Sequence, residues 1–85
     1  METTSITINT IWTDTAITDS DAKWIIQNTG SYAIEVIYTD GSSPECNDKG
    51  MVISPGEGLV SSIHGTGNIW AKSMTSTYGK LSITK

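Results

Sequence analysis

Clusters of Gly, Asn, Asp, Ser and Pro interrupt this chain at intervals of roughly 8–12 residues, the spacing of short strands joined by turns. The segments between them are rich in β-branched side chains. Ile supplies 12 and Thr 13 of the 85 residues, against 4 Ala and 2 Leu. β-branched side chains lose rotamer freedom in a helix and pack well on a pleated surface. An all-β fold is expected, with helix limited to one short turn.

The alternation of apolar and polar residues places the strands. Ile6 and Ile8 share one face of a first strand over Ser5–Ile8, and a second extended piece runs from Ile11 to Ile17 before Thr18-Asp19-Ser20-Asp21. Trp24 and Ile26 face one way over 23–28, and Ile34, Val36 and Tyr38 share a face opposite Glu35 and Thr39. The intervening Asn28-Thr29-Gly30-Ser31 is turn-forming, so these two strands are expected to make a hairpin. Residues 51–53, 59–64, 68–73 and 79–84 complete the set, with the last two expected as a closing hairpin. Ser54-Pro55-Gly56-Glu57 fits a type II turn, since Pro fixes φ and Gly supplies φ > 0. The stretch 40–50, DGSSPECNDKG, reads as an exposed loop. Seven or eight short strands predict a small antiparallel β-sandwich, immunoglobulin-like or jelly-roll-like.

Size sets further bounds. Two domains would leave each about 40 residues, too few to fold without staples, so residues 1–85 are expected to form one domain. Cys46 is the only cysteine and cannot form an internal disulfide, and no Cys/His set exists for structural zinc. A lone thiol fits a reducing cytoplasm. The net charge of −4 with no Arg argues against a nucleic-acid partner. No apolar run approaches the ~20 residues that span a bilayer, and the first residues lack the basic and apolar regions of a signal peptide. A core this thin points to oligomerisation.

Little in the chain suggests catalysis, a cofactor or a metal. His64 is the only His, and no nucleophile context surrounds it. Cys46 sits between Glu45 and Asn47 near Asp48, acidic neighbours that argue against a reactive thiolate. Asp14, Asp19 and Asp21 form one acidic cluster and Asp40, Glu45 and Asp48 another, but calcium needs six to eight converging oxygens. Turn-forming carboxylates explain both clusters. No catalytic, cofactor or metal residues are therefore assigned, and the chain is expected not to be an enzyme.

The aromatic residues carry more. Trp24 is expected in the core, and Trp12 falls in phase with Ile6 and Ile8. Trp70 shares a face with Lys72, opposite Ile69 and Ala71, which leaves three readings open: core, protein interface or sugar platform. Trp12, Trp70, Lys72 and Tyr78 are the candidate interface or ligand contacts. A coplanar exposed pair among Trp12, Trp70 and Tyr78 would favour sugar binding.

Four segments carry a family resemblance: Ile25-Ile26-Gln27-Asn28-Thr29-Gly30, Ile53-Ser54-Pro55-Gly56-Glu57-Gly58, Ile69-Trp70-Ala71-Lys72-Ser73 and Gly79-Lys80-Leu81-Ser82-Ile83. In this order they resemble small β-sandwich virion proteins of tailed bacteriophages, in which an N-x-G strand end, a PGEG turn, a W-A-K/R-S strand and a final G-x-L-x-V strand follow one another. The resemblance runs from Trp24 to Lys85, and its motifs mark turns and strands rather than a role. It implies a capsid decoration or cement protein, or a fibre-associated module, made in the host cytoplasm and located in the virion. The implied partner is the major capsid protein or another virion protein, with a homo-oligomer expected, a trimer ahead of a dimer. A carbohydrate- or receptor-binding module of a head or tail fibre is the alternative. Residues 1–17 lie outside the resemblance and are expected as an extended arm reaching a neighbouring subunit.

Overall fold

The computed structural model describes residues 2–65 and 67–85. The strands are β1 (Thr3–Ile8), β2 (Thr13–Asp14), β3 (Ile25–Asn28), β4 (Ile34–Thr39), β5 (Met51–Ile53), β6 (Gly58–Val60), β7 (Asn68–Ser73) and β8 (Gly79–Thr84), with one helical turn, α1 (Ser61–His64). They form two antiparallel four-stranded sheets, ordered β1-β8-β3-β6 and β2-β7-β4-β5. That order is the eight-stranded jelly roll, and it excludes the immunoglobulin arrangement. Only β4 and β5 are consecutive strands of one sheet; every other connection crosses between sheets.

The core is what the alternation predicts. Ile8, Ile26, Leu59, Leu81 and Ile83 point inward from the first sheet, and Ile34, Val36, Ile53, Ile69 and Ala71 from the second. Trp24 is 1% exposed and meets the Tyr38 ring at a centroid distance of 6.5 Å. Each such aliphatic side chain contributes roughly 1.5–3 kcal/mol on full burial, so a shell of about a dozen holds the sheets together.

Both expected hairpins are absent. β3 pairs with β8 and β6, and β4 pairs with β7 and β5. Asn28 explains the first departure. Its amide Nδ2 donates to the Tyr32 C=O at 2.8 Å and the Ile53 C=O at 2.9 Å, while its Oδ1 accepts from the Gly30 N–H at 3.1 Å. The chain is thereby led from one sheet to the other. The Asn28 backbone also exchanges bonds with Glu57 C=O and Gly56 N–H, both at 2.9 Å. Gly56 has φ +86° and Glu57 N–H donates to Ser54 C=O, as a type II turn requires. For the last two strands, Ser73 N–H bonds Asn9 C=O and Met74 N–H bonds Ala33 C=O, so residues 74–78 also cross over.

Three further expectations change. The extended piece over 11–17 narrows to the two residues of β2, because Ala16 turns to φ +65° and its N–H is taken by the Asp14 carboxylate. Residues 61–64 are α1 rather than strand, and the Ser61 hydroxyl accepts the Trp24 N–H at 3.0 Å. The segment expected as an arm is built into the fold: Thr3–Ile8 pairs with β8 along its length, and Ile8 and Ile17 are 0% exposed.

Candidate functional site

β-strand periodicity sends Glu35 and Ile37 of β4, and Trp70 and Lys72 of β7, to the outer face of the second sheet. The register sets Glu35 opposite Lys72 and Ile37 opposite Trp70, with Asp14 of β2 on the other side of Trp70. The loop 40–50, joining β4 to β5, folds back over this face. Three contacts hold it there. Trp12 Nε1 donates to the Glu45 C=O at 2.8 Å, Lys72 Nζ donates to the Cys46 C=O at 3.2 Å, and the Gly50 N–H donates to Glu35 Oε2 at 2.6 Å. A side chain at position 50 would run into the Val36 carbonyl, so Gly is required for this approach.

Lys72 is the centre of the cluster. Its ammonium lies 4.7 Å from the Trp12 ring centroid and 3.7 Å from Glu35 Oε1. Glu35 is only 5% exposed, and a buried carboxylate needs such partners. The arrangement fixes a cation between an aromatic face, a carbonyl and a carboxylate. It presents neither a nucleophile beside a base nor an open coordination position. A cleft of ≈ 190 Å³ opens beside it, lined in part by Thr10, Ile11, Trp12, Pro44 and Lys72. This lies below the roughly 300 Å³ at which small-molecule pockets begin.

The candidate residues thus separate. Trp12 and Lys72 come together, but Trp12 is 8% exposed and lies beneath the ammonium, so its ring is not an open platform. Trp70 is half-buried on the same face. Tyr78 is exposed in the loop after β7, and among the described residues no hydrogen bond or ring pairing joins it to the others. Glu35 is the member that sequence reading passes over. Alternation sends it outward, and only the β4–β7 register and the returning loop bury it.

Among the remaining polar candidates, His64, Asp21 and Asp48 have local partners. His64 Nδ1 lies 3.2 Å from the Val60 C=O, whereas Cys46 is exposed on the loop over the second sheet, and no hydrogen bond connects them. Asp21 accepts the Thr18 N–H at 2.9 Å and pairs with Lys85 at 3.3 Å. These bonds, the Thr18 N–H first, hold its carboxyl below the usual range against a partial burial that acts the other way. Asp48 accepts the Glu45 N–H at 2.8 Å. Both act as turn-forming carboxylates.

The outer face of the first sheet is different in kind. Thr3, Ser5 and Thr7 of β1 stand opposite Thr84, Ser82 and Lys80 of β8, continued by Ile25 and Gln27 of β3. Lys80 is its only charge among these residues, and among the described residues no loop bond crosses it. In comparisons with known proteins, no family model matches the chain, and no curated protein or solved structure is significantly similar to it.

Proposed function

We propose that this protein is a non-enzymatic structural component of a bacteriophage virion that decorates or cements the outer head surface, in contact with the major capsid protein. The observation that carries this reading is the outer face of the first sheet. Along β1 and β8 its Thr and Ser side chains are short, so little rotamer entropy is lost when another protein lies against that part of the face. The jelly-roll order agrees with it as a fold-level analogy, because viral capsid domains use the same architecture, but so do lectins. Many copies on a symmetric particle would add weak contacts into firm attachment.

The half-buried Trp70, beside Ile37 and Asp14, favours a second reading as a fibre-type sugar- or receptor-binding module. One assay separates the two. Purified protein is mixed with undecorated heads and sedimented, and in parallel applied to a host-glycan array. Pelleting with heads, lost on Ser82→Arg and retained on Trp70→Ala, is the expected result. Protein that stays in the supernatant but binds a glycan through Trp70 replaces the first reading with the second.

A further inference from the structure

Each sheet has two edges, and three of the four are blunted. β2 has two residues, one of them Asp14, and turns away at Ala16. β5 and β6 have three residues each, and the Pro55-Gly56 turn joins them. Short strands, charges, kinks and Pro are the devices by which edges are kept from pairing. β1 has none of them. It runs six residues, TTSITI, with no charge, Gly or Pro, and among the described residues β8 is its only partner.

The hydrogen-bond phase shows which groups are free. Glu2 and Lys85 exchange both backbone bonds, at 2.9 and 3.0 Å. In an antiparallel ladder such pairs alternate with non-bonded ones, so Thr4, Ile6 and Ile8 bond β8 while Thr3, Ser5 and Thr7 turn their N–H and C=O groups to the open edge. Three donors and three acceptors thus lie in a row along an uncharged strand.

We propose that β1 pairs antiparallel with β1 of a second copy about a two-fold axis at Ser5. Thr3 then meets the partner's Thr7, Ser5 meets the partner's Ser5, and six backbone hydrogen bonds form. The result is one continuous eight-stranded sheet. The edge matches itself because two-fold pairing sets only Thr and Ser against each other on the outer face, where a chain of net charge −4 would elsewhere repel its copy. The three short edges cannot offer an equal run to β1, so a head-to-tail ring, and with it the expected trimer, is disfavoured. The pairing rests on the edge alone and is independent of the virion reading.

Sedimentation equilibrium tests it. The wild-type chain should reach twice its 9.1 kDa monomer mass by a concentration of ~100 μM. Ser5→Pro removes an outward-facing donor while leaving every β1–β8 bond in place, so it should remain folded and sediment as a monomer. Amide exchange on the wild-type chain is a second measure that needs no variant. The Thr3, Ser5 and Thr7 amides should be slowed in concentrated solution and released on dilution. A monomer at every concentration, a trimer, a Ser5→Pro dimer, or fast exchange at those three amides in concentrated solution would each overturn the proposal.

Discussion

The two outer faces of this sandwich are treated in opposite ways. On the second sheet the chain covers itself: the loop 40–50 lies over Glu35, Lys72 and Trp12 and is tied down by hydrogen bonds from Trp12 and Lys72 to its carbonyls and from its Gly50 N–H to Glu35. On the first sheet Thr3, Ser5, Thr7, Ser82 and Thr84 present short hydroxyl side chains under no loop. Both sheets are antiparallel, four strands wide and equally apolar inside, so the core does not impose the difference. It arises from outward-facing residues, which each sheet is free to vary. A face sealed by its own loop is a stability element, whereas the open face leaves its outward side chains to solvent.

The sharpest way to break this comparison is to unseat the loop. Glu35→Ala leaves the Lys72 ammonium and the Gly50 N–H without their carboxylate, and removing one partner of a largely buried pair costs about 3 kcal/mol. Urea unfolding should show that loss, and the 45–50 amides should exchange faster before global unfolding. A loss under about 0.5 kcal/mol, the size of an ordinary surface change, would mean that the loop is not held by this pair.

A smaller effect is expected where the first sheet ends, at Asp21 and Lys85. The folded carboxyl is lowered by the Thr18 N–H and by Lys85, so its contribution is present above the unfolded value of ~3.9 and fades as pH falls through the folded value. Asp21→Asn should therefore lower the melting temperature at neutral pH and converge with the wild-type value in acid, which flattens the acid limb of the profile. An acid limb identical in both proteins would remove Asp21 as a source of that dependence.

The least effect is expected from substitutions that touch neither packing nor a tie. Ser82→Ala on the open face should alter stability by less than about 0.5 kcal/mol. Cys46→Ser should do the same, because Lys72 bonds the Cys46 carbonyl and the thiol is exposed. A loss above roughly 2 kcal/mol in either, measured by urea unfolding, would show that the affected face is packed against something.

Local patterns were legible in the sequence where physics acts over a few residues. Ile26, Ile34, Val36, Ile69, Leu81 and Ile83 point inward because side chains alternate along a strand, whatever the neighbouring strand is. The turn at Pro55-Gly56 follows from fixed φ at one residue and positive φ at the next. Partner choice was not legible. Short connections favour hairpins between consecutive strands, and residues 29–33 and 74–78 are short enough for that expectation. What overrides it is long-range: the Asn28 amide reaches Ile53, and Ser73 and Met74 bond Asn9 and Ala33. The candidate site suffered the same limit, since Glu35 and Lys72 become partners only through the β4–β7 register.

By itself, then, the sequence determined that this protein is a small all-β sandwich, where its strands lie to within a few residues, and which side chains fill its core. Composition and two-residue periodicity act through local backbone preference and burial, and they need no knowledge of strand order. The tertiary structure alone decided that the order is a jelly roll, that residues 3–8 are an edge strand rather than an arm, and that one outer face is closed while the other is open. These features depend on contacts between residues far apart in the chain, such as Thr3 with Thr84 and Trp12 with Glu45. Such contacts form because the hydrogen-bonding groups and apolar faces of the whole domain must be satisfied together.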